Sequence, residues 1–184
     1  MAAAVPDVEL IKAFSNPTMF NGLTTFDNYT VLIGEGRGSA IKLNILTGDS
    51  SIAVQNASMS SPNGSPITLG IDGLRYYNGS LYYSNIFAGT LRKVSINASG
   101  NKAGEVTTLL KNQQANDLCI GPDGSIYVTT NNKNKIIKFT LDGKSSTIGT
   151  VTTGTSCAYD RRDSDSNVLY ISSGAGGLYS LKFS

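Results

Sequence analysis

The strand Val31-Leu32-Ile33-Gly34 returns as Leu81-Tyr82-Tyr83-Ser84, Ile126-Tyr127-Val128-Thr129 and Leu169-Tyr170-Ile171-Ser172, at spacings of about 50, 45 and 43 residues. That period suits a four-stranded unit better than a helical repeat. The spacing predicts strands A to D in each unit. Strand A is residues 22–26, 73–77, 118–121 and 157–159, and strand B is the recurring motif. Strand C is residues 40–46, 91–96, 136–141 and 178–183, and strand D is residues 51–55, 105–110 and 146–151. Val, Ile, Tyr, Thr and Leu dominate these runs, as a pleated, half-buried surface requires. Asn78-Gly79 and Asp123-Gly124 between A and B read as tight hairpins. No segment sustains an apolar period of 3.6, so almost no helix is expected.

The last unit has no strand D, while Val8–Phe14 resembles a strand D with no A, B or C before it. The reading is a single all-β domain over residues 1–184, a β-propeller of about four blades. The N-terminal strand is expected to pair in the last blade and close the ring, removing a free edge. Part of a six-bladed propeller is the alternative.

Net charge is only +2, and Arg161-Arg162 sits among Asp160, Asp163 and Asp165, so no basic patch for nucleic acid is expected. No apolar run approaches membrane-spanning length, and Met1–Pro6 does not read as a signal peptide. Five glycosylation sequons begin at Asn28, Asn56, Asn63, Asn78 and Asn97. About three are expected by chance at this Ser and Thr content, so they do not argue secretion. Cys119 and Cys157 fall at opposite parity on neighbouring A strands, so buried free thiols facing opposite sides are expected.

The chain lacks His, which excludes a Ser-His-Asp triad, a His general base and His-ligated zinc. Glu35 and Arg37 lie in Gly34–Gly38, a glycine run that no helix follows. It reads as a B–C turn rather than a phosphate cradle, like Ser173–Gly177. The insertion at 56–69 reads equally as a lid or as a surface loop.

Four stretches carry a family resemblance. They are Phe20–Thr25, Leu69–Leu74, Gly121–Thr130 with its Pro-Asp-Gly turn, and Asp165–Ile171. Together they resemble the gluconolactonase/regucalcin-like propeller superfamily, and within it the fungal-type branch, over about residues 8–184. Members are six-bladed, and this chain resembles their last four blades. The resemblance implies a divalent cation near the axis, held by a Glu, an Asn and an Asp. Asn21 matches the Asn and Asp72 the Asp, and the Glu has no counterpart. Ca²⁺ or another hard cation wants about six oxygens, so Asn21, Asp72 and Asp117 would hold one weakly. The same residue types also pin turns by bonding local backbone.

The residues opening each strand A should face one mouth: Asn21, Asp72, Asn116-Asp117 and Ser156. The alignment of the repeats superposes Asp72 on Asp117. Asp72, Asn21 and Asp117 are the candidate catalytic residues, and Phe20, Asn85, Phe87 and Ser156 the candidate substrate contacts. Asn131 and Asn132 lie on the same side. Three functions follow. The first, which the resemblance to the fungal-type branch implies, is a natural-product cyclase, pericyclase-like, that shapes a small molecule in the axial pocket through orientation and hydrogen bonds. The second is a metal-dependent lactone hydrolase. The third is a non-catalytic ligand- or protein-binding propeller or minimal scaffold. The first is preferred because it needs neither His nor the unmatched Glu. A small-molecule ligand is the expected partner, with no nucleic acid and no membrane, and oligomerisation is expected if the propeller is incomplete.

Overall fold

A computed structural model describes residues 8–16, 19–159, 162 and 166–183. Four antiparallel sheets form the blades of a four-bladed β-propeller. Blade one is β1 (Phe20–Thr25), β2 (Thr30–Glu35), β3 (Ser39–Asn44) and β4 (Ser50–Gln55). Blade two is β5 (Leu74–Tyr77), β6 (Ser80–Asn85), β7 (Thr90–Ser95) and β8 (Thr107–Leu110). Blade three is β9 (Ala115–Ile120), β10 (Ile126–Thr130), β11 (Lys135–Phe139) and β12 (Ser145–Thr150). Blade four has three strands, β13 (Gly154–Tyr159), β14 (Val168–Ser173) and β15 (Leu178–Lys182). Within each blade the strands pair in chain order, the meander that short hairpins impose. At Asn78-Gly79 both residues have positive φ, 45° and 70°, as a type I′ hairpin turn demands. One 3₁₀ turn, Ala57–Met59, is the only helix among the described residues.

Strand period places alternate residues on the two faces of each blade, and the cores form where neighbouring blades meet. Leu32, Ala40 and Val54 of blade one pack on Leu74, Leu81, Tyr83 and Val94 of blade two. Tyr82, Leu91 and Leu110 of blade two meet Leu118, Ile126, Val128 and Ile137 of blade three. Tyr127, Ile136 and Val151 of blade three meet Cys157, Leu169 and Ile171 of blade four. Among the described residues no such cluster joins blade four to blade one.

The expected closing strand therefore requires correction. Among the described residues no strand pairs with the free edge of β15, and Val8–Phe14 belongs to no sheet. That segment lies against blade one instead. Lys12 Nζ donates to the Gly48 carbonyl at 2.8 Å, and the Phe14 ring meets Phe20 edge-on at 4.9 Å. The three interblade cores fix the angle between successive blades. That angle leaves Leu23 at one end 60% exposed and Leu178 at the other 77% exposed.

The cysteines are free and buried, yet they do not face opposite ways. Both belong to the core between blades three and four. Cys119 points forward from blade three and Cys157 backward from blade four. Opposite parity on successive blades therefore brings two side chains together. Burial first, and then the neighbouring Cys119, push the Cys157 thiol well above its usual range.

The insertion is anchored by its first residues, and residues 63–68 run mostly exposed over the surface. Met59 is fully buried in the first interblade core, and Ser58 Oγ and Tyr83 OH are hydrogen-bonded at 2.8 Å. Gly36–Gly38 is a turn, in which Glu35 Oε2 accepts from Arg37 N–H and Ser39 Oγ. Arg161 and its neighbouring acids Asp160, Asp163 and Asp165 lie outside the described residues, as does Met1–Pro6. No described helix is long and apolar enough to cross a membrane.

Candidate functional site

The strand pairings define equivalent positions. Leu23, Leu74, Leu118 and Cys157 sit opposite Ile33, Tyr83, Val128 and Ile171. The residue two before each is Asn21, Asp72, Asn116 and Thr155, and the residue one before is Gly22, Gly73, Asp117 and Ser156. Asp72 is thus equivalent to Asn116, and Asp117 to Gly73. The expected superposition of Asp72 on Asp117 is off by one residue, because two acidic letters were matched where the ladder matches an Asp with an Asn.

The first of these rows makes a belt across the blades. Asn21 Nδ2 donates to Asp72 Oδ1 at 2.6 Å, and Gly22 N–H donates to Asn21 Oδ1 at 3.0 Å. The Asn116 amide nitrogen donates to Asp72 Oδ2 at 2.8 Å and to the Thr155 carbonyl at 3.2 Å. In the second row Ser156 Oγ donates to Asp117 Oδ2. Arg75 Nη2 lies 3.4 Å from the same oxygen. Gly73 makes the approach possible, since a Cβ there would stand 2.5 Å from Asp117 Oδ1.

Asp72 is 8% exposed. Burial, reinforced by the Asp117 charge, raises its pKa to about 7, while the hydrogen bond from Asn21 opposes the rise. Asn21, Asp72, Arg75, Asn116, Asp117 and Ser156 all line one cavity of about 430 Å³. A larger axial cavity of about 680 Å³ shares Leu23 and Arg75 with it and continues past Tyr76, Tyr77, Cys119 and Tyr159. Arg75 thus stands where a polar mouth gives way to an aromatic-lined chamber.

The structure gathers Asn21, Asp72, Asp117 and Ser156 at one mouth, and it places the other candidates elsewhere. Asn85 is fully buried. Its Nδ2 donates to the Ser60 carbonyl at 2.8 Å and its Oδ1 accepts from Ala88 N–H at 3.0 Å, so it fastens the insertion to blade two. Phe20 packs on Phe14, and neither Phe20 nor Phe87 lines the cavity around Asp72. Arg75 escaped the sequence reading. Its signal was period two: the residue after Leu74 lies opposite Tyr82 and faces blade three, where Asp117 stands.

The donor set does not fit a cation held by Asn21 and Asp72. Asn21 turns its nitrogen, not its oxygen, to the carboxylate, and its oxygen is taken by Gly22. An amide nitrogen occupies each Asp72 oxygen. Among the described residues no three His, Cys, Asp or Glu side chains cluster to hold a metal.

No family model and no curated protein matches the sequence. The fold, by contrast, is widely shared. A gluconolactonase of Xanthomonas campestris is similar at TM-score 0.69 and 12% identity, over 93% of this chain and 60% of that one. An aldose sugar dehydrogenase of Streptomyces coelicolor, solved with PQQ bound, gives TM-score 0.69 and 15% identity, over 89% of this chain and 60% of that one. The computationally designed Ika4 protein gives TM-score 0.62 and 13% identity, over 97% of this chain and all of that one. The chain spans 60% of the length of the two enzymes it resembles. At these identities the likeness is one of fold, gluconolactonase-type propellers among its forms.

Proposed function

We propose that this propeller is a metal-independent hydrolase of small lactones, with Asp72 as its general acid–base. The observation that carries the reading is a buried carboxylate with its pKa raised to about 7, beside a second carboxylate, in a cavity at the axial mouth. A catalytic group works best when its pKa lies near the operating pH, and one such group can take a proton and return it within a single turnover. Resemblance of fold to a gluconolactonase makes a lactone the first substrate class to try.

In this scheme ionised Asp72 takes a proton from water as the water oxygen adds to the lactone carbonyl carbon. The carbonyl electron pair moves to oxygen, and the Arg75 guanidinium at the cavity wall stabilises that oxyanion. Collapse of the tetrahedral species breaks the ring C–O bond, and the proton on Asp72 passes to the departing oxygen. A hydroxy acid is released and Asp72 returns to its starting state. Asn21 and Asn116 hold the carboxylate in place from either side. Asp117, tied to Arg75 and Ser156, keeps the guanidinium at the mouth. The polar lining of this cavity favours hydrolysis over the shaping of an apolar intermediate.

The test is hydrolysis of a panel of aldonolactones and alkyl lactones followed by pH-stat. The rate should rise with pH through about 7. Asp72→Asn should lower kcat/KM by about 100-fold or more, and EDTA should change nothing. Loss of activity in EDTA, an undiminished Asp72→Asn variant, or a wild-type chain inert to the whole panel would overturn the reading.

A further inference from the structure

Four blades can share four interfaces or three, and among the described residues three are built. Ala40, Leu91, Ile136 and Leu178 occupy one repeat position, opposite Gly34, Ser84, Thr129 and Ser172. The first three are 0%, 0% and 1% exposed under the following blade, and Leu178 is 77% exposed. The same break appears at the other end. Leu74, Leu118 and Cys157 are 0%, 0% and 4% exposed against the preceding blade, and their equivalent Leu23 is 60% exposed. Each end of the arc therefore carries one half of an interblade contact. Blade four offers a forward face that carries Leu178. Blade one offers a backward face on which Leu23 and Ile52 are 60% and 55% exposed and Val31 and Ile41 are half-buried, with Ile33 buried beneath them.

We propose that a second copy of this chain docks on these ends, the forward face of blade four against the backward face of blade one. Three observations favour this occupant. The two halves are complementary by the repeat itself, because forward faces of this composition already pack on backward faces of this composition three times within the chain. The built interfaces leave Leu23 and Leu178 exposed, so the faces of blades one and four do not cover each other. Val8–Phe14 lies beside blade one, with Leu10 77% exposed, and belongs to no sheet, while the edge of β15 has no ladder partner. Docking would set that segment of one copy along β15 of the other and give blade four its outer strand. The contact is head-to-tail, and two copies that each supply both halves close it into a ring.

Sedimentation equilibrium over the micromolar range tests this. The expected mass is twice the 19.4 kDa of one chain. Leu178→Asp and Leu23→Asp should each weaken association about tenfold or more, with an unchanged far-UV spectrum, since both positions are exposed. Mixing the two variants should restore dimers, because their complex keeps one intact contact, Leu178 of one copy on Leu23 of the other. Leu178→Ser, also monomeric, would show that the effect does not depend on an introduced charge. A single-chain mass at every concentration would overturn the proposal. So would dimers indifferent to both substitutions, a mixture that stays monomeric, or a Lys12–Lys182 cross-link formed within one chain.

Discussion

Asn116 and Asp72 hold the same position in adjacent blades, and the amide of the first donates to Oδ2 of the second at 2.8 Å. Repeat geometry thus turns a sequence position into a belt of hydrogen bonds around an axis. The carboxylate in that belt is the one polar group of the row that carries a charge, and its burial makes the charge conditional on pH.

Asp72 should make stability fall as pH rises. Its folded pKa of about 7 exceeds the ordinary aspartate value of 3.8, so between these limits the folded state binds the proton more tightly than the unfolded state. The stabilisation is complete below about pH 4 and lost as pH passes through about 7. Asp72→Asn should abolish this slope and leave the variant more stable than wild type at pH 8, by about 1–3 kcal/mol after the cost of one mismatched amide. Urea denaturation at pH 4, 6 and 8 measures it. Unfolding of Asp72→Asn at every pH would make Asp72 a structural residue.

Gly73→Ala should distort the mouth. The new Cβ would stand 2.5 Å from Asp117 Oδ1 and 2.8 Å from its Cα, so the strand itself must yield. A loss of about 1–3 kcal/mol is expected by thermal melting. Asp117→Gly in the same chain should recover only the part due to the carboxylate, because the Cα stays in place, and Ser156→Ala should recover none.

Both cysteines should resist a disulfide reagent in the folded protein at pH 8 and release two equivalents in denaturant. Burial and the raised Cys157 pKa both act against the thiolate. Rapid labelling of one native thiol would show that the third interblade core opens readily.

Asn85→Ala should loosen the insertion rather than the site. The Ser60 carbonyl and Ala88 N–H lose their partner, a cost of about 1–3 kcal/mol. Limited proteolysis should then cut within residues 61–68 faster than in wild type, while lactone hydrolysis per folded molecule is unchanged.

The blades were legible because a four-residue strand recurs with the spacing of a whole unit, and the turn residues Asn78-Gly79 punctuate it independently. The mouth was legible in part. Asn21, Asp72, Asp117 and Ser156 all stand at the start of a strand A, and such positions face the axis whatever their exact register. The register itself was not legible: Asp117 and Asp72 are chemically alike but one step apart, and only ladder pairing separates them. Asn85 was misread because a polar residue at the end of strand B looks the same whether it meets ligand or a neighbouring loop. Ring closure failed as an expectation for a different reason. Strand count says how many strands a blade needs, but the angle between blades is set by side-chain volume in cores such as Tyr82 with Leu118, which no count contains. The cysteine parity was read correctly and interpreted for a single sheet, where opposite faces diverge. Between stacked sheets the opposite faces are the ones that meet.

The three interblade cores also decide how the molecule comes apart. Blades two and three are each gripped from both sides, and blades one and four from one side only. Stability is then a row of nearest-neighbour couplings that frays from its ends. Amide protection should peak in β6 and β10 and decline outward to β2 and β14, and anything that joined the two ends would erase that gradient.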